Sequence, residues 1–142
     1  MGVNHQSFKV IHQSFIEVLQ ESINKAPKDS ILPIKKGYLT KISMLKNGAV
    51  DKDVFLLFDK AFLKIVAKAM LEEDNPDKAT LEDMAKELAN LIVGHAKVLA
   101  KGDKGFNISV PSYLGYKLIK DYDSGLHFKL GRGHCGIYVR NA

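Results

Sequence analysis

The hydrophobic period of this 142-residue chain switches between the helical and the strand repeat, and the order of those switches restricts the fold more than any other feature. Residues 5–24 carry Phe8, Ile11, Phe15, Val18, Leu19 and Ile23 at the spacing of one helical face, closed by Pro27 and the polar Lys28-Asp29-Ser30. Residues 37–45 alternate instead, with Tyr38, Ile42 and Met44 on one side and Lys41 and Ser43 on the other, as in a half-buried strand. Asn47-Gly48 signals a turn, with a loop to Asp53 longer than a tight hairpin. The apolar residues 53–58 predict a second strand, covered on both faces.

Helical spacing returns at Leu63, Val66, Ala67, Met70 and Leu71 and is broken by Asp74-Asn75-Pro76. A longer helix is expected from about Thr80 to about Lys101, with Gly102 as its C-terminal cap. Beyond it the chain alternates again. Phe106, Ile108 and Val110 end at Pro111, Leu126, Phe128 and Leu130 follow, and residues 134–140 return after the Gly131-Arg132-Gly133 turn. The expected order is helix, strand, strand, helix, helix, strand, strand, strand: an α+β fold with helices packed on a mostly antiparallel sheet. No linker or low-complexity tract interrupts it, so residues 1–142 read as one domain, long enough to bury a real core.

Composition excludes several classes. No apolar run approaches the roughly 20 residues that span a bilayer, so no membrane association is expected. The first residues lack the basic start and apolar core of a signal peptide. One cysteine, Cys135, forbids an internal disulfide and any Cys-pair metal framework. A cytoplasmic, reducing environment is the expectation. The formal charge of +5 favours anionic partners in general, but seven of the 16 acidic residues lie between positions 72 and 87. Phosphates meeting that segment would meet carboxylates, so no nucleic-acid partner is expected there. Basic terminal segments leave a weaker nucleic-acid or anionic-surface reading, with few aromatic residues interleaved.

Chemistry concentrates in the third helix. At about 100° per residue, Asp83, Glu87, Asn90 and Gly94 project within a sector of roughly 60°. Leu81, Met84, Leu88, Ile92 and Leu99 lie on the opposite, core-facing side. A carboxylate can hold a partner's cation. A carboxamide one turn on can accept from a water proton while donating to a phosphoryl oxygen. Gly94 removes bulk where another backbone could approach.

Asp83-x-x-x-Glu87-x-x-Asn90-x-x-x-Gly94, with Leu88 and Ile92 between, resembles the signature of the CheC, CheX and FliY chemotaxis phosphatases. The two strands and a helix before the motif, and the strand ending at Val110-Pro111 after it, are similar to the CheX-like branch. The resemblance implies a CheC/CheX-like fold and hydrolysis of the aspartyl phosphate of a CheY-like response regulator. By that resemblance Asn90 orients the attacking water and Glu87 pairs with the receiver's lysine, while Asp83 and Gly94 support them. It also implies a homodimer, and Mg²⁺ held by the partner receiver, with no cofactor bound by this chain.

Blander readings of the same residues exist. Thr80-x-x-Asp83 also reads as a helix capping box. Glu87 and Asn90 could simply belong to a solvated helix face, Glu87 pairing with Lys86 or other nearby lysines, and the fold could serve a non-catalytic adaptor that binds a receiver or flagellar switch. A second partial match in the first helix, Glu21-x-x-Asn24, sits near Pro27 with no glycine following and reads as a polar helix end. His134 and Cys135 are adjacent on a strand and should face opposite sides, so they do not share a metal. Gly131-Arg132-Gly133 precedes no helix and is no phosphate cradle. No Gly-x-Ser-x-Gly elbow is present.

Overall fold

The computed structural model describes residues 5–100 and 105–142, and side chains from residue 8 onward. Helix α1 (His5–Ile23) buries Phe8, Ile11, Phe15, Val18, Leu19 and Ile23, the face its spacing predicts. It stops before Pro27. Asn24 takes the left-handed conformation (φ 57°), and its N–H donates to the Gln20 carbonyl at 3.1 Å. The Lys28–Asp29 pair, expected only to close the helix, is a short strand, β1, at one sheet edge.

Strands β2 (Lys36–Lys46) and β3 (Ala49–Phe58) are joined more tightly than expected. Lys46 pairs with Ala49 across the two-residue turn Asn47-Gly48, both with positive φ (53° and 79°), the geometry that matches strand twist. Residues 49–52, expected in a loop, are part of β3 even though Asp51 and Lys52 are poor strand formers. A bulge opposite Met44/Leu45 absorbs the extra residue and lets the strand begin early. Residues 54–58 are buried on both faces, as their unbroken apolar run predicts.

Helix α2 (Lys60–Leu71) starts at Asp59, whose carboxylate accepts from the Phe62 N–H at 2.8 Å, and ends at Glu72 in the left-handed conformation (φ 57°). Its last turn departs from the expected face, with Met70 half-buried and Leu71 exposed. Helix α3 (Lys78–Leu99) follows, then strands β4 (Asn107–Ile108), β5 (Ser112–Leu118), β6 (Ser124–Leu130) and β7 (Gly133–Asn141). The expected strand over 106–110 is only two residues long. The strand β5, which shows no clear alternation in the sequence, contains Gly115 (φ 115°) and meets a bulge at Leu39/Thr40, so its repeat is out of phase.

All pairings are antiparallel, and the sheet runs β1-β6-β7-β3-β2-β4, with β5 pairing the other half of β2 alongside β4. The three helices cover one face. Phe15, Phe62, Leu88 and Ile92 close there on Ile42, Leu56, Phe58 and Ile137. Each such side chain contributes roughly 1.5–3 kcal/mol when fully buried. On the other face Leu39, Phe55, Leu57 and Tyr138 form a smaller cluster under Ile34, Leu114 and Ile119. Gly133 opens β7 where α2 comes closest: a Cβ there would lie 2.4 Å from the Phe62 backbone, so only glycine fits. His134 faces Asp59 at 3.6 Å, while Cys135 points into the core, where burial raises its thiol pKa. The Gly131-Arg132 turn joins two strands, as expected. No helix among the described residues is long and apolar enough to cross a membrane.

Candidate functional site

Helix α3 begins at Asp77, whose side chain accepts from the Thr80 N–H at 2.8 Å. The backbone donor at Thr80 holds the Asp77 carboxyl below its ordinary pKa. The capping box at Thr80 and Asp83 therefore does not form. The helix starts two residues earlier than expected, and Asp83 stands in its second turn. The helix ends at Leu99, with Ala100 extended; Gly102, expected to cap it, lies outside the described residues. Leu81, Met84, Leu88 and Ile92 are buried as predicted, while Leu99 is only half-buried.

With its apolar face committed to the core, α3 turns Asp83, Glu87 and Asn90 outward, and all three are exposed. They line one wall of an open groove of about 780 Å³, together with Lys86. Ile108, Ser109, Val110 and Pro111 form the facing wall. That wall is held by pairing to β2. The Ser43 N–H donates to Ser109 Oγ at 2.8 Å, and the Ser109 N–H donates to the Ser43 carbonyl at 2.9 Å. Pro111 then ends the short pairing before β5 begins. Val110, 82% exposed, is an apolar rim.

The polar groups at the groove differ in how they are occupied. Lys86 pairs with Asp83 (Nζ to Oδ1, 3.6 Å) and not with Glu87. Among the described residues Glu87 and Asn90 have no hydrogen-bond or ion-pair partner, so both are open to an incoming molecule. Gly94 is half-buried, and a Cβ on it would meet only Ile108 Cδ1, at an ordinary 3.9 Å. Packing within the chain does not require glycine there.

The stripe is carried on a firmly seated helix. Ser14 Oγ of α1 donates to the Ile92 carbonyl, and Glu17 Oε1 lies 2.7 Å from His95 Nε2. The hydrogen bond from His95 and a second from Gln13 lower the Glu17 pKa. These contacts flank Gly94 and fix the rotation of α3, and with it the direction of the polar stripe. A constellation on a helix held from behind is better placed for chemistry than one on a loop.

The family model described as chemotaxis phosphatase CheX matches residues 43–127, more than half of the chain and all of the stripe. The chain belongs to the CheX family. Its fold repeats that of the chemotaxis protein CheX from Vibrio vulnificus, with a TM-score of 0.78 at 19% identity over 95% of this chain and 98% of that one. A CheC-like superfamily protein from Shewanella sp. PV-4 superposes with a TM-score of 0.75 at 20% identity, over 98% of this chain and 100% of that one. A third CheX fold comes from the CheX–CheY–BeF₃–Mg²⁺ complex of Borrelia burgdorferi, with a TM-score of 0.66 at 18% identity over 95% and 98% of the two chains. No curated protein matches the chain. The α+β architecture and the CheX-like recognition expected from the motif are thus both found.

Sequence reasoning did not find the second wall of the groove. It noted the strand ending at Val110-Pro111 but had no means to bring it opposite Asn90. The alternative pairing of Glu87 with Lys86 does not form, Lys86 standing beside Asp83 instead.

Proposed function

We propose that this CheX-family chain hydrolyses the aspartyl phosphate of a CheY-like response regulator. The observation that carries the reading is the outward pair Glu87 and Asn90, both unpartnered at an open groove on a helix whose other face is locked into the core. In this reading Glu87 binds the partner's active-site lysine and sets the docking. The Asn90 amide enters the phosphorylated pocket, where its oxygen accepts from a water proton and its N–H₂ donates to a phosphoryl oxygen. The water oxygen bonds to phosphorus as the bond to the aspartyl oxygen breaks, leaving a carboxylate and inorganic phosphate. Phosphoryl transfer of this kind depends on positioning and charge stabilisation, and an acyl phosphate needs no strong base. Mg²⁺ stays with the partner. A CheY partner is supported by the Borrelia relative found in complex with one. A homodimer belongs to the same proposal, on family resemblance.

The test is phosphate loss from a phosphorylated CheY-like receiver with Mg²⁺. The wild-type chain should accelerate decay, and Asn90→Ala should abolish the acceleration with helix content unchanged by circular dichroism. Binding without faster decay would favour an adaptor. Equal decay with wild type and variant would sink the site assignment.

A further inference from the structure

We propose that Lys86 is a docking residue that meets an anionic group of the partner's phosphorylated pocket, on the side of Asn90 opposite Glu87. This rests on the phosphatase reading above. At about 100° per residue, Lys86 lies roughly 40° from Asn90 in one direction and Glu87 roughly 60° in the other. A helical side chain covers the turn before its own Cα, so the Asn90 carboxamide overlies the turn carrying Lys86 and Glu87. It therefore stands between an ammonium and a carboxylate.

The facing wall, Ile108 to Pro111, contributes no charged side chain, so Asp83, Lys86 and Glu87 are the charged residues of the groove. A receiver presenting a phosphorylated aspartate, metal-holding carboxylates and a lysine has both signs to match. Seated one way, its cation meets Glu87 and its anions meet Lys86. Turned round, like charges face each other, which disfavours that orientation. The polarity across Asn90 selects a single rotational register for docking.

Asp83 then acts as the counter-ion Lys86 keeps while no partner is present. The two side chains are 78% and 43% exposed and 3.6 Å apart. An exposed pair of this kind is weak and screened by salt. Exchanging it for an anion in a partly dehydrated interface is favourable, and the flexible lysine stem allows the swing. This gives Asp83 an unusual sign: removing its charge should help docking.

Decay of the phosphorylated receiver, measured at about 0.05 M and about 0.5 M salt, tests the idea. Lys86→Met should raise KM about five- to tenfold at low salt with kcat within about twofold, and Lys86→Glu should raise KM further. Both effects should shrink at high salt. Asp83→Asn should lower KM about twofold, since it frees Lys86 from a weak pair. An unmoved KM in the Lys86 variants, a loss confined to kcat, or a higher KM in Asp83→Asn each overturns the proposal. Decay indifferent to Asn90→Ala overturns the phosphatase reading beneath it, and the Lys86 role with it.

Discussion

The chain carries the spacing Glu-x-x-Asn at 21/24, 72/75 and 87/90, and the structure gives the first and last copies different fates. On α3, Glu87 and Asn90 fall mid-helix, unpartnered, at a groove. On α1, Glu21 lies in the last turn, and Asn24 is past the helix end in the left-handed conformation (φ 57°). The Asn24 side chain is engaged locally, its Oδ1 accepting from Gln20 Nε2 at 3.1 Å. One asparagine stands exposed at a groove and the other lies just past a helix end. What separates them is position along the helix and the presence of a facing wall, not the spacing itself.

That contrast can be broken most directly at the two asparagines. Asn90→Ala should cost about 100-fold in receiver dephosphorylation, the scale of removing a positioned hydrogen-bonding group from a reaction centre. Asn24→Ala should leave the rate alone and lower stability by about 1 kcal/mol, because alanine disfavours the left-handed conformation. A rate loss in Asn24→Ala would mean the first copy is not a mere terminator. The carboxylates give a smaller contrast. Glu87→Ala should raise KM roughly tenfold by removing a charge-assisted contact, whereas Glu21→Ala should change neither KM nor, beyond about 0.5 kcal/mol, stability.

Gly94 sharpens the comparison from another side, because the first copy has no glycine after it. Since a Cβ at 94 meets only Ile108 Cδ1 at 3.9 Å, Gly94→Ala should stabilise the chain by about 0.5–1 kcal/mol in urea unfolding. If the glycine serves an approaching partner, the same variant raises KM. A stabilised variant with unchanged KM would reduce Gly94 to a tolerated defect.

The smallest expected effect concerns the link between the two helices. Glu17 has a pKa lowered by its hydrogen bond to His95, so its contribution to stability is present above the ordinary carboxylate range and is lost as pH falls through its folded value. Urea midpoints measured from pH 6 down to pH 3 should drop more for wild type than for Glu17→Gln. Parallel curves would remove this pair from the account of how α3 is seated.

Much of this was legible in the residues. The apolar faces of α1 and α3, the doubly buried run at 54–58 and the outward stripe follow from local periodicity, which acts within one or two turns of chain. So did the turn at Asn47-Gly48. What was misread lies where a distant strand or a neighbouring side chain decides. The hairpin tightened because β3 pairs along its length with β2 and β7, outweighing the poor strand preference of Asp51 and Lys52. The strand β5 was missed because a bulge against β2 breaks its alternation.

From the sequence alone came the helix that presents Glu87 and Asn90 and the face they share, since both depend on a repeat of 3.6 residues and nothing further. Tertiary structure alone decided that Ile108–Pro111 stands across from them; the Asp77 cap and the Lys86–Asp83 pair, each three residues apart, are local contacts. A groove needs two walls. The second is held in place by hydrogen bonds exchanged between Ser43 and Ser109, residues 66 positions apart, and no local pattern encodes a pairing over that distance.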